Sequence, residues 1–341
     1  MSRKMNSGRK KTDGSVLCIV VSERSIRMKS TADFSKVSLG IFPTPIQKLE
    51  NISRLLGTSV YIKRDDLSGL GLGGNKVRKL EFLLAQAKAE GAEIVFTTGG
   101  AQSNHAMLTA AAAGKLGMRP ILLLKKRGVT ECRGNLLLEK VMGTDVRFID
   151  TDDYADVYDE MDRIGKASGK TYYKIPVGGS NALGSLGYVS CAEEIRNSGI
   201  AFDHIICAEG SGGTMAGMTL GAKLFLPGTR VTGMMVDRDP FEEITVRLMK
   251  EAAGLLEADL EVSAADFDLR DMCGPGYAVP SAEGNAAVEL MAAREGIFLD
   301  PVYTGKAFAG LLDMASEGVF TPETNVLFLH SGGAGGLFAV R

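Results

Sequence analysis

The 341-residue sequence predicts an α/β protein of two interleaved, open and twisted, mostly parallel sheets flanked by helices. Three observations carry this. From Pro45 onward, short unbroken apolar runs alternate with helical periodicity, the mark of strands covered on both faces. The length exceeds the roughly 250–300 residues at which single cores stop growing. No Pro/Ser-rich linker parts two halves, so two sheets have to share the chain by interleaving.

The elements follow in order. Arg3, Lys4, Arg9, Lys10 and Lys11 precede a brief apolar run, Val16 to Val21, that lacks a convincing cleavage site; residues 1–35 are read as a disordered extension. Val60–Lys63 is the first strand. After a glycine-rich turn, Leu80, Leu83, Leu84 and Ala87 recur at helical spacing. Ile94–Thr98 is a second strand, and an alanine-rich helix runs from Asn104 to Lys115. Ile121–Leu124, Val146–Ile149, Ile205–Ala208, Val231–Val236 and Val326–Leu329 complete the apolar strands. Ligands of such sheets gather at the strands' carboxyl ends.

Composition excludes several classes. A net charge of −2 gives no electrostatic case for nucleic acid or an anionic membrane. No run approaches the ~18 apolar residues of a membrane span. The five cysteines form no C-x-x-C and share no spacing with the three histidines, so no metal is expected and free thiols place the chain in the cytoplasm. Cys207, inside an apolar run, reads as a core filler.

Chemistry concentrates in the loops. Gly71-Leu72-Gly73-Gly74-Asn75-Lys76 sets a lysine where a helix begins. Burial and a helix N-terminus lower a lysine pKa, and a neutral amine is what a Schiff base needs; an exposed lysine in a flexible loop is the competing reading. Glu209-Gly210-Ser211-Gly212-Gly213-Thr214 leaves a strand and opens a helix, which makes it a phosphate cradle. It is no dinucleotide fingerprint, because Met215 stands where the third glycine belongs, and the Walker pattern fails at Asn75. Gln102-Ser103-Asn104-His105 puts four polar side chains at a strand end, suited to a carboxylate, although Ser103 or Asn104 could simply cap the helix. Tyr277, Tyr303 and the His330-Ser331-Gly332-Gly333 strand end also lie in turn-rich contexts, where plain structural roles compete.

A special lysine plus a phosphate cradle, without a metal site, points to pyridoxal phosphate. The chain resembles the family of D-cysteine desulfhydrases and 1-aminocyclopropane-1-carboxylate deaminases, pyridoxal-phosphate enzymes of the tryptophan-synthase-β fold type. The likeness runs from Phe42-Pro43-Thr44-Pro45 through Lys63-Arg64-Asp65-Asp66, Gly74-Asn75-Lys76, Gln102-Ser103-Asn104, Pro176 to Asn181, Gly210 to Thr214, Gly276-Tyr277 and Asp300 to Lys306, and ends at His330 to Gly333. It implies that Lys76 carries the cofactor and exchanges the Cα proton, and that Asn104 bonds the cofactor's phenolic oxygen. Ser211, Gly212, Gly213 and Thr214 would hold the phosphate, with Thr304 and Ser331 nearer the ring. Gln102, Ser103, Asn104 and His105 would meet the substrate, Ser103 doubling as an acid/base, with Tyr277 and Tyr303 on the substrate side. It also implies a homodimer, and a small domain at 79–186 within a large cofactor domain of 36–78 and 187–341.

Within the family the deaminase branch is expected to carry glutamate after the late tyrosine and leucine after the late histidine. Thr304 and Ser331 stand there, and with His105 they resemble the desulfhydrase branch. A hydroxyl leaves the ring nitrogen closer to neutral, enough for β-elimination of a good leaving group. The expected reaction is therefore D-cysteine to pyruvate, ammonia and hydrogen sulfide. The alternatives are 1-aminocyclopropane-1-carboxylate ring opening, cysteate sulfo-lyase activity, or, in a different class, a non-catalytic phosphate-binding protein. Met107-Leu108 departs from the usual desulfhydrase residues and argues against a sulfonate substrate.

Overall fold

The computed structural model describes residues 28–151 and 153–340. Its strands are β1 (Ile46–Lys48), β2 (Ser59–Arg64), β3 (Ile94–Gly100), β4 (Arg119–Lys125), β5 (Asp145–Ile149), β6 (Tyr172–Lys174), β7 (His204–Glu209), β8 (Arg230–Met235), β9 (Phe267–Asp271) and β10 (Asn325–His330). They form a six-stranded sheet, β1-β2-β10-β7-β8-β9, and a four-stranded sheet, β5-β4-β3-β6. Every pairing is parallel except β1 with β2. The larger sheet takes strands from both sides of the segment that builds the smaller one, which is the interleaving expected.

The unbroken apolar runs have the predicted cause. In β7, Ile205 and Cys207 enter one core cluster and Ile206 the cluster on the opposite face. In β10, Leu327 and Leu329 face one way, Val326 and Phe328 the other. Cys207 is fully buried among Met215, Leu220 and Val231, a core residue as read. The three strands that the sequence did not announce, β1, β6 and β9, are short edge strands paired on one side only. With so few apolar positions, they carry no run to recognise.

The N-terminal expectation needs a correction. Residues 1–27 lie outside the described residues, but 28–35 are docked. Thr31–Asp33 make a single 3-10 turn closed by a capping box between Ser30 and Asp33. The Lys29 N–H donates to the Leu256 carbonyl at 2.7 Å, and Phe34 packs on the main core. A turn this short has no periodicity to read.

The helix Lys76–Ala89 also exceeds its prediction. The apolar face is buried as expected, yet Arg78, Lys79 and Glu81 are buried too. Glu81 accepts from the N–H groups of Leu39 and Gly40 at 2.9 and 3.1 Å. Its charges point inward because each finds a partner.

Glu139, on the helix Gly134–Val141, is the exception. It is fully buried, and neither carboxylate oxygen finds a hydrogen-bond partner among the described residues. Burial pushes its pKa up to about 8. Between the ordinary carboxyl range and pH 8 the unfolded chain has released this proton while the folded chain keeps it, so stability falls as pH rises through that window. Glu139→Leu is expected to raise stability, by about 1–3 kcal/mol at pH 8–9, with a smaller gain near pH 5. Urea melts at the two pH values check it, and a gain independent of pH would contradict it.

Candidate active site

The carboxyl ends of both sheets open on one cavity of about 390 Å³. Asn75, Lys76, Ser103, Asn104, His105, Ser211, Gly212, Thr214, Tyr277, Tyr303 and Ser331 all line it, so segments scattered over 250 residues of sequence converge. Gly213, the remaining cradle residue, is buried directly behind this wall.

Lys76 is placed by the turn before it. The Gly74 N–H donates to the Asp65 carbonyl at 2.9 Å and the Asn75 N–H to the Ser331 carbonyl at 3.0 Å. Gly73 and Gly74 have φ of 70° and 132°, and a Cβ on Gly73 would collide with the Asp66 carbonyl. The turn is thus clamped between β2 and β10. Burial lowers the Lys76 pKa to about 8, against an opposing pull from the Glu209 charge and a bond with Lys79. The exposed-lysine reading fails because Lys76 is half-buried at the start of its helix and lines the cavity wall.

The cradle is more crowded than the sequence implied. Gly212 has φ of 83° and opens the helix Gly213–Phe225. A Cβ on Gly213 would come within 2.8 Å of Lys79 Nζ, whose amine donates to the Gly178 carbonyl at 3.2 Å and to Ser180 Oγ at 3.1 Å. Ser180 Oγ also accepts from the Gly213 N–H and shares a hydrogen with Ser211 Oγ at 2.9 Å. Thr214 Oγ1 accepts from Asn75 Nδ2 at 3.0 Å. Lys79, Ser180, Asn75 and Glu209 are therefore site residues that sequence reasoning missed. The Pro176–Asn181 and Gly74-Asn75-Lys76 motifs contained Ser180 and Asn75, Glu209 opened the cradle string without a role of its own, and Lys79 lies one helical turn beyond Lys76.

Ser103 does two things. It caps the helix Asn104–Lys115, accepting from the Ala106 N–H, and it reaches the cavity. Asn104 Oδ1 accepts from Asn135 Nδ2 at 2.8 Å, which fixes the amide's orientation. His105 is buried, and Thr97 Oγ1 gives its only proton to the Ile175 carbonyl, so His105 Nε2 donates to Thr97 Oγ1 at 2.8 Å. Burial first, then the charges of Lys76 and Lys79, hold this histidine neutral. The Tyr277 and Tyr303 hydroxyls bond each other at 2.5 Å, and burial raises both phenols, which keeps them protonated.

Two expected residues sit elsewhere. Gln102 does not line this cavity; its amide donates to the Val129 and Arg133 carbonyls and its oxygen accepts from the Asn135 N–H. The polar side chain is spent holding the next loop, because the chain turns away before Ser103. Thr304 is likewise buried outside the lining, its hydroxyl donating to Asp300 Oδ1 at 2.7 Å. That carboxylate also accepts from the N–H groups of Val302, Tyr303 and Thr304, so the pair closes the start of a helix.

Glycine N–H groups at a helix start, two hydroxyls and a buried lysine behind them suit a phosphate, and a half-buried lysine of lowered pKa in the cavity wall suits an aldehyde. The match to known proteins decides the matter: the pattern described as pyridoxal-phosphate dependent enzyme spans residues 37–332. The chain belongs to that family. It is 45% identical over 315 residues to a Pyrococcus horikoshii protein named "Putative 1-aminocyclopropane-1-carboxylate deaminase", covering 90% of this chain and 94% of that one. It is 42% identical over 323 residues to a D-cysteine desulfhydrase of Klebsiella pneumoniae, covering 92% and 98%. Among solved structures, an ACC deaminase homologue superposes with a TM-score of 0.84 at 44% identity, over 90% of this chain and 94% of that chain. O-ureido-L-serine synthase, at 18% identity and TM-score 0.64, shares the fold over 90% and 92%. The cofactor of this enzyme is pyridoxal phosphate. Among the described residues no His/Cys/Asp/Glu cluster could hold a metal, and no helix is long and apolar enough to cross a membrane.

Proposed function

We propose that this pyridoxal-phosphate enzyme is a carbon–sulfur lyase that eliminates sulfide from D-cysteine, giving pyruvate and ammonia. The observation that carries the choice is Ser331 in the cavity wall, with no carboxylate from the adjoining Asp300–Thr304 segment available beside it. Asp300 is spent on Thr304 and three backbone N–H groups. A wall of hydroxyls there suits loss of a good leaving group, and the desulfhydrase relatives support the same choice.

When bound, the cofactor supplies an electron sink for a carbanion at Cα. Lys76, a neutral amine above about pH 8, would take the Cα proton. Ser103 and Asn104 would orient the carboxylate. Tyr277 and Tyr303, both held as phenols, would face the leaving sulfur and hold a proton for it. Lys79, Ser211 and Thr214 would anchor the phosphate, in a chain acting as a cytoplasmic homodimer.

Pyruvate and sulfide are to be measured from each cysteine enantiomer, and 2-oxobutanoate from 1-aminocyclopropane-1-carboxylate. Pyruvate with sulfide from D-cysteine is the expected result; no sulfide from either enantiomer sinks the reading. The second reading, ring opening, is favoured by the name of the Pyrococcus relative. Sustained 2-oxobutanoate release with Thr304 and Ser331 intact would establish it instead.

A further inference from the structure

Glu209 is the one acid inside the phosphate cradle's own loop. It ends β7, its side chain is 1% exposed, and its Oε1 accepts from the N–H groups of both Ser211 and Gly212. Its Oε2 is buried with no hydrogen-bond partner among the described residues. A carboxylate therefore takes two of the N–H groups that a phosphate needs in the same place. It lines the cavity wall, and a Cβ built on Gly233 of the neighbouring β8 would stand 3.3 Å from its own Cβ, so the strand side is closed to it.

A phosphate and a carboxylate cannot share this pocket as two anions. Like charges at close range, out of water, cost more than the hydrogen bonds return. One of them has to be neutralised, and a carboxylic acid is the group that can accept a proton without losing the phosphate's hold. We propose that Glu209 makes cofactor loading depend on pH: the cradle holds the phosphate tightly only when Glu209 carries a proton.

The groups facing Glu209 do not undo this. Lys76 and Lys79 approach from the helix Lys76–Ala89 and attract the carboxylate, while Cys207 lies on its own strand. Burial outweighs the lysines and the loop N–H groups, so the acid form is favoured beyond the ordinary carboxyl range. The same cavity is lined by His105, held neutral, by Lys125, Arg127 and Arg247, and by Asp237 and Asp239. β8 presents only Gly233 and Met235 at this level.

The inference concerns the cofactor alone and holds whichever amino acid is the substrate. Its test compares full-length holoenzyme with Glu209→Gln, which keeps the shape and cannot ionise. Both are diluted serially at about pH 6 to 9, and cofactor release is read from the near-visible band of lysine-bound pyridoxal phosphate. The Glu209 charge also raises the Lys76 pKa, so each constant is divided by that of pyridoxal, which meets Lys76 without a phosphate, and the normalised ratio reports the cradle. The wild-type constant is expected to rise against that of Glu209→Gln as the pH is raised through the series, by about tenfold or more in all. Glu209→Ser serves as second variant, with the same trend expected. A ratio that stays constant across pH, or a variant that binds the cofactor more weakly, overturns the proposal.

Discussion

Lys76→Ala is expected to abolish the near-visible band of the bound cofactor and to lower turnover by at least about 10³-fold, the scale of a lost acid–base group. The choice between Lys76 and Lys79 is not trivial. Lys79 is fully buried and Lys76 half-buried, and both are held below the ordinary lysine range, Lys79 further than Lys76, because burial and then the Lys76 charge act on it. A pKa alone would favour the wrong one. Geometry decides: Lys76 lines the cavity, whereas Lys79 stands outside the lining with its amine donating to the Gly178 carbonyl and Ser180 Oγ beside Gly213. Lys79→Ala should therefore keep the band while weakening cofactor affinity. Band loss in Lys79→Ala with retention in Lys76→Ala would invert the assignment. In apoprotein, capture of pyridoxal phosphate should speed up with pH and level off above about 8, as the Lys76 ammonium gives up its proton.

Much of the candidate site is legible because the strand-end loops that line the cavity carry unusual residues in short clusters. Ser211 to Thr214, Ser103 and Asn104 follow apolar runs directly, so the run locates the loop and the loop names the ligand type. Gln102 and Thr304 were misplaced for a common reason. Each is adjacent in sequence to a residue that does line the cavity, Ser103 and Tyr303, but one residue of chain rotation turns a side chain from the cavity into the wall. A motif fixes which residues occur, not which way they face. Lys79 and Arg78 were invisible for another reason. Charged residues on a helix read as a solvated face unless their partners are known, and the partners here lie up to 116 positions away.

That distant partnership yields the second large effect. Arg78 lies two residues after Lys76 on the same helix, 3% exposed, with its guanidinium gripping Asp65 through two bonds of 2.8 Å and Glu194 through bonds of 2.8 and 2.9 Å. Asp65 is also held by Thr44 Oγ1 and the Tyr188 hydroxyl, and Lys63 joins Glu194 to the Thr44 carbonyl. The Phe42-Pro43-Thr44-Pro45 and Lys63-Arg64-Asp65-Asp66 motifs thus meet in one buried network. The Asp65 carbonyl simultaneously anchors Gly74, so one residue brackets Lys76 from both sides. Arg78→Met leaves two carboxylates facing an apolar side chain, and is expected to cost about 3–5 kcal/mol. Burial alone would raise the Asp65 pKa, but the Arg78 charge and the bonds from Arg78, Tyr188 and Thr44 outweigh it and hold the acid below its ordinary value of 3.8. The stability it contributes is then present above that value and lost as pH falls through the folded-state value. Arg78→Met should flatten the acid limb of the stability curve as well as lower it. Asp65→Leu combined with Arg78→Met should cost less than the two single changes added together, by about 0.5–3 kcal/mol in a double-mutant cycle. Strict additivity would mean that the helix bearing Lys76 is held by its apolar face alone.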